Sequence, residues 1–259
     1  MPASDAERGT TRSSPTRTRP GRNPLTERLE ARVPRWYRPV LQWSGNMLAL
    51  AAFAAVLWFL RPQERVPGWA WLSVPFGILF ASGVEYVLHR FPMHKRMKGL
   101  DRFFRRHTLL HHRFFDHATL EMQGPREGYF VLTNLHVAAI STLMLSAAYF
   151  IMRGAVGIHA ATLGAVSMTL YAMLAETMHV SYHLNGRWQR KFPFNMGWFQ
   201  FLRELHRDHH NPRSMREYNF AIGLPIWDLL LGTFRIPPAL EPETTPELEP
   251  AASHTQLHP

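Results

Sequence analysis

The chain has no cysteine among its 259 residues. That excludes disulfides, thiolate-ligated haem and cysteine-held iron–sulfur clusters. A flavin or dinucleotide fingerprint is also missing, so any electrons a reaction needs must come from a separate protein. Acidic residues are scarce: 19 Asp and Glu face 29 Lys and Arg, for a formal net charge of +10. Such an excess can mark a nucleic-acid binder, but no helix-turn-helix, zinc-finger or RNA-binding motif accompanies it, and no nucleic-acid partner is expected. Charge is absent altogether from long stretches. From Leu41 to Leu60 the only strongly polar residues are Gln42 and Asn46, and Gly68 to Leu88 carries only Glu85 as a charge. Gly128 to Met152 and Ala155 to Ala175 contain no Lys, Arg, Asp or Glu.

Each stretch is close to the ~20 apolar residues that span a ~30 Å hydrocarbon core. The mean hydropathy of −0.19 hides them, because polar, Pro-rich ends dilute the apolar middle. The pattern predicts an all-α integral membrane protein. Four transmembrane helices form two hairpins, turning at Arg61–Pro67 and Arg153–Gly154. A soluble bundle of buried helices would show polar faces that these stretches lack. Trp36, Trp43, Trp58, Trp69, Trp71 and Trp198 sit where an interfacial aromatic belt would lie.

Arg28, Arg32, Arg35 and Arg38 precede the first stretch. Lys95, Arg96, Lys98, Arg102, Arg105 and Arg106 follow the second, and Arg187, Arg190 and Lys191 follow the fourth. The opposite turns hold only Arg61, Arg65 and Arg153. The positive-inside rule then places both termini on the cytoplasmic side, and anionic headgroups account for the net charge. The preponderance of Arg over Lys hints at a bacterial inner membrane. Residues 1–40 are expected to be a disordered basic arm, 41–234 one membrane domain, and 235–259 a disordered Pro/Glu-rich tail. The apolar run beginning near residue 41 is too long for a cleavable signal peptide.

Ten of the fifteen histidines fall in four clusters just beyond these stretches: His89 and His94; His107, His111 and His112; His179 and His183; His206, His209 and His210. Neutral imidazole is a good ligand for iron, zinc, copper and nickel. One metal rarely takes more than four protein ligands and never more than six, so ten point to a dinuclear site on the cytoplasmic face. Residues three and four apart share a helical face. That spacing aims His107 with His111, His179 with His183, and His206 with His209 and His210 at common points, and an adjacent His-His pair straddles the face and can reach neighbouring metals. His89 and His94 are five apart, and Pro92 between them implies a helix end that delivers His94 from a bend.

The plan repeats in each half: a hairpin, a Glu one turn before a His pair, a basic linker, and a segment ending in adjacent histidines. Glu85 precedes His89, and Glu176 precedes His179. Ligating imidazoles need an acceptor at the second nitrogen. Glu85, Glu176, Glu204 and Asp208 are the nearest carboxylates in sequence. Among the remaining histidines, His117 falls near the clusters, His136 within the third helix, His159 near the opposite face, and His254 and His258 in the tail.

Over about residues 80–234 these motifs resemble the fatty acid hydroxylase superfamily, which includes fatty acid 2-hydroxylases, sterol desaturases and methyl oxidases, and carotenoid hydroxylases. Glu85-Tyr-x2-His89-Arg-Phe-x2-His94 looks most like the first motif of the 2-hydroxylases. His179-x3-His183 and His206-x2-His209-His210 match later motifs, as do Asn219-Phe220, Asp228 and Leu231-Gly232-Thr233. The second motif is His-x3-His-His where 2-hydroxylases usually have one residue fewer, Ala118 to Pro125 stands in place of a Pro-Pro stretch, and no cytochrome b5 domain is fused.

The resemblance implies a non-haem di-iron oxygenase with the ten histidines as ligands. O2, a membrane lipid and a separate cytochrome b5- or ferredoxin-like electron donor would be its partners. Hydroxylation of a fatty acyl chain is the expected reaction, and sterol or carotenoid hydroxylation or desaturation the nearest alternative. A zinc hydrolase, with Glu85 or Glu176 as base, and a metal-binding membrane protein without oxygenase activity are the alternatives of another class. The expected cap over the site comprises short helices from 95–117 and 195–234, with Pro225 to Thr233 lying along the membrane interface.

Overall fold

The computed structural model describes residues 24–118 and 120–237, with backbone alone at 24–26 and 135–136. The first 23 residues, the tail beyond 237 with His254 and His258, and the His136 side chain lie outside this description. Among the described residues every regular element is helical. In chain order these are α1 (Pro24–Ala31), α2 (Pro39–Leu60), α3 (Ser73–Leu88), α4 (Asp101–Arg106), α5 (His112–Phe114), α6 (Gly128–Val131), α7 (Leu135–Tyr182), α8 (Gly186–Gln189), α9 (Gly197–His209) and α10 (Ile226–Leu230). Short 3₁₀ turns occupy Gly68–Leu72 and Pro125–Glu127, and π-helical turns occupy His89–Met93 and His107–His111.

Three stretches are long and apolar enough to cross a membrane: Pro39–Leu60, Gly68–Met93 and Val137–Tyr182. Only 6%, 17% and 6% of their apolar windows are buried within the chain. Leu48, Phe59, Phe76, Leu143 and Ile151 all stand exposed. Soluble monomers rarely expose contiguous apolar surface on this scale, so its solvent is lipid. The elements have ordinary local causes. Pro39 opens α2 where a missing N–H costs nothing, and Asn134 caps α7 by accepting from Val137 N at 3.0 Å.

α7 is not one rod. At Gly157 the backbone takes φ 80° and ψ 168°, a conformation side chains with a Cβ avoid. The chain folds back there: Met152 of the first arm lies against Gly164 of the second, and Tyr149 shares a packed cluster with Ala161, Ala165 and Met168. The break therefore falls at Gly157 and not at Arg153–Gly154. The charge of Arg153 marked the hydropathy minimum, whereas the backbone reversal needed the glycine. The start of this stretch also differs. Residues from Gly128 form the separate α6, and α7 begins only at Leu135.

α3 packs along the second arm so closely that a Cβ on Gly77 would sit 2.6 Å from the Gly164 carbonyl oxygen. The N-terminal arm, expected to be disordered to residue 40, is helical at α1 and buries Val33 and Tyr37 against Phe114, Phe115, Phe130 and Val131. Apolar side chains inside a basic stretch carry that anchoring. Ordered structure likewise runs past 234: Arg235 pairs with Asp208 at 2.5 Å.

Candidate metal centre

A π turn closes i→i+5 hydrogen bonds, so residues five apart return to one face. His112 N–H donates to the His107 carbonyl in this way. Their ring Nε2 atoms lie 3.0 Å apart. The other π turn, at His89–Met93, also brings His89 and His94 together, their ring centroids 5.1 Å apart, while the His94 N–H ends on the Phe91 carbonyl at 3.2 Å. These turns correct two readings based on ordinary helical spacing. His94 follows a π turn that runs through Pro92, and His107 is grouped with His112 rather than with His111.

The imidazoles form two adjoining sets. His89, His94, His107, His112 and His209 have candidate ligand atoms within 4.8 Å of one another, as do His111, His179, His183 and His206. His210 joins the second set, its Nε2 lying 3.2 Å from that of His111 and 3.1 Å from that of His206. The sets are reciprocal. Each half of the sequence supplies four histidines to one set and sends one member of its adjacent pair, His111 or His209, to the other. His209 therefore parts from His206, while its separation from His210 agrees with an adjacent pair straddling the helical face to reach both sets.

The donor set fits metal ions. Nε2 separations of 2.8 Å (His89–His107), 3.0 Å (His94–His209), 3.3 Å (His111–His179) and 3.1 Å (His183–His206) run through both sets. With metal–imidazole bonds of about 2.1 Å, neighbouring octahedral ligands sit about 3 Å apart. Tautomers decide the matter. His111 Nδ1 faces the Phe130 carbonyl at 3.0 Å, and His210 Nδ1 faces the Phe115 carbonyl at 2.6 Å. A carbonyl only accepts, so both Nδ1 atoms carry the proton and both Nε2 atoms present lone pairs. Two lone pairs 3.2 Å apart cannot hydrogen-bond; a cation between them satisfies both.

A proton is not that cation. Burial drives His94, His107, His111, His112, His183 and His206 well below the ordinary imidazole range, and neighbouring rings add to it. Burial likewise lowers His209 and His210 to about 3. Neutral imidazole is the ligating form.

Residues 74–233 match the family model described as fatty acid hydroxylase. The chain belongs to the fatty acid hydroxylase family. No match was found among curated proteins, and none among solved structures. Membership of this oxidoreductase family agrees with the two buried histidine sets and with the apolar helices.

Five of the hydroxylase-family imidazoles are oriented by main-chain carbonyls, whereas His94 Nδ1 lies 3.4 Å from the Thr108 hydroxyl and His112 Nδ1 is buried without a partner among the described residues. His89 Nδ1 donates to Phe220 O, His183 to Leu120 O at 2.8 Å and His209 to Tyr218 O at 2.9 Å, beside the His111 and His210 bonds above. The carboxylates expected in that role hold other groups. Glu85 accepts from Ile222 N and the Tyr171 hydroxyl, both at 2.5 Å. Glu176 accepts from Thr133 N and its hydroxyl at 2.8 and 2.6 Å, and Asp208 from Asn219 and Arg235. Glu204 pairs with Arg203 and Arg207. They brace the segments that carry the carbonyls. Carbonyls have no sequence signature, so sequence reasoning missed them; only the Asn219-Phe220 motif pointed to that loop.

Asp228, named only as part of a motif, is buried and accepts from Phe220 N, Ala221 N and the Thr233 hydroxyl. Burial pushes its carboxyl above the usual range while these donors and Arg90 pull the other way. Arg90 itself is tied to the Tyr86 hydroxyl at 2.6 Å, and Arg105 to Asp101. His117 is exposed, and His159 keeps a buried Nδ1 without a partner among the described residues.

Proposed function

We propose that the chain is a membrane-bound non-haem di-iron oxygenase that hydroxylates an unactivated C–H of a lipid acyl chain. One observation carries the reading: ten buried, neutral imidazoles in two adjoining sets, with lone pairs aimed at each other. When bound, two irons would supply reduction of O2 and removal of hydrogen from the C–H bond.

The chain's own residues do the rest. Backbone carbonyls fix the tautomers of five of the rings so that Nε2 faces inward, and Phe115 and Phe220 pack against the rings to exclude water. All ten candidate ligands are neutral, which leaves a bound pair of cations strongly positive and favours taking up electrons. With no cysteine in the chain, those electrons come from a separate cytochrome b5- or ferredoxin-like donor. The exposed basic stretch Lys95, Arg96, Lys98 and Arg102, beside His94, is where an acidic donor would approach.

In this reading the fold-back at Gly157 makes α7 two crossings, four in all. The basic ends then place the termini, the helical cap and the metal centre on the cytoplasmic side of a bacterial inner membrane. Leu229, Leu230 and Leu231 of the α10 segment are exposed and would lie against the bilayer beside the path of an acyl chain.

The test is a lipidomic comparison of cells expressing the wild type and a His209→Ala/His210→Ala variant. The reading expects acyl lipids one oxygen heavier in the wild type alone. A hydroxylated sterol or carotenoid would replace the acyl substrate, and unchanged lipids with zinc in the purified protein would favour a hydrolase or binding role.

A further inference from the structure

Asp228 Oδ2 accepts from the Ala221 N–H at 2.7 Å. That N–H belongs to the same peptide group as the Phe220 carbonyl, which accepts from His89 Nδ1. Carboxylate, peptide and imidazole thus form one continuous line. A peptide group is conjugated, so an anion drawing on its N–H places more negative charge on its oxygen. A stronger acceptor at Nδ1 makes Nε2 a better metal ligand.

We propose that Asp228 positions and strengthens His89 through this single peptide, making it a positioning residue for one of the two metal positions. The proposal rests on the metal-centre reading above.

The surroundings fix the carboxylate for this task. Oδ1 accepts from Phe220 N at 2.9 Å and from the Thr233 hydroxyl at 2.7 Å. Thr233 Oγ1 is 3.0 Å from the Tyr86 hydroxyl, which accepts from Arg90 at 2.6 Å. Glu85 takes the next N–H, that of Ile222, and so holds the loop without touching the Phe220–Ala221 peptide. The neighbouring carbonyl works differently. Tyr218 O orients His209, but the N–H of its peptide, that of Asn219, ends on the neutral Thr233 carbonyl at 2.8 Å. Asn219 sits between the two carbonyls at φ 57°, the left-handed conformation that lets both face the first set. In the second set His111, His183 and His210 are oriented by Phe130, Leu120 and Phe115, from a different segment. The effect of Asp228 is therefore confined to one metal position.

The test compares wild type, Asp228→Asn and Thr233→Val, each purified, loaded with isotopically enriched iron and melted on the same preparations. Asp228→Asn removes the charge at nearly constant shape; Thr233→Val loosens the carboxylate but leaves it on the Ala221 N–H. The expected result is an Asp228→Asn protein that yields one iron to a chelator roughly 10–100-fold more readily than wild type. Its Mössbauer spectrum changes in one component only, while Thr233→Val keeps both irons and both components. Unchanged spectra and retention in Asp228→Asn would overturn the proposal. So would equal loss in Thr233→Val, or loss of both irons with unfolding, since each reduces Asp228 to a structural prop. A wild type that takes up no iron would instead overturn the metal-centre reading itself.

Discussion

His111 and His112 are adjacent in sequence yet serve different sets, and so do His209 and His210. His111→Ala should therefore deplete the second set although the residue lies in the first half. His112→Ala should deplete the first. Iron analysis of each variant, combined with the spectra of the remaining site, checks the assignment; identical spectra from the two would contradict it. The histidines also set a pH response. In the folded apoprotein His209 and His210 stay neutral down to about 3, whereas unfolded histidines take protons from about pH 6.5 downward. The unfolded state then binds more protons, so stability is full above about 6.5 and falls as pH drops toward 3. Melting of the apoprotein in detergent should show a lower midpoint at pH 5 than at pH 7.5. A midpoint unchanged or higher at pH 5 would contradict this sign. Which histidines gather into the two sets was legible in the sequence, because clustered histidines are rare without a metal. That an adjacent pair can serve both sets was legible too, but the carbonyls of Phe115, Leu120 and Phe130 were not, since any residue supplies one.

The π turns explain why spacing alone failed. Helical arithmetic pairs residues three or four apart, but one extra residue per turn moves the partner to five. Deleting Leu109 would put His107 and His112 at the i,i+4 spacing of an ordinary helix, so the two should stay on one face and the first set should keep its metal. Loss of that metal from the deletion variant would show that the π turn itself is needed. Gly157 offers a second test at this scale. A Cβ there meets nothing within 4 Å, so its cost is conformational rather than steric. Gly157→Ala should destabilise by about 1–3 kcal/mol, read as a lower melting temperature with metal content intact. The apolar runs made α2, α3 and both arms of α7 legible, because length and lack of charge are what a membrane demands. The turn was misplaced because Arg153 interrupts the hydropathy while the helix continues through it. α1 and the buried Val33 and Tyr37 were hidden inside a basic, Pro-containing arm whose average composition resembles disorder.

Across the whole molecule, four crossings would put Arg65 and Arg153 on one side and Lys98 on the other. The absence of native cysteine makes this directly measurable, since each single-cysteine variant is labelled without background. Lys98→Cys should react with an impermeant maleimide only from the cytoplasmic face, and Arg65→Cys and Arg153→Cys only from the opposite face. Labelling of Arg153→Cys from the cytoplasmic face would break the four-crossing reading. The all-helical class, the apolar helices and the family were visible in advance because membrane helices and histidine motifs are both written in local sequence. The reciprocal exchange between the two halves was not, because it depends on the backbone turns between them. The central claim, that the two histidine sets serve oxygen chemistry on a lipid, is tested most directly in purified, iron-loaded protein. The protein would be supplied with acyl lipid, a reducing partner and isotopically heavy O2. The account predicts an acyl alcohol carrying one heavy oxygen atom, formed by the wild type and not by the His209→Ala/His210→Ala variant. A product whose oxygen comes from water, or turnover that persists when iron is replaced by zinc, would contradict it.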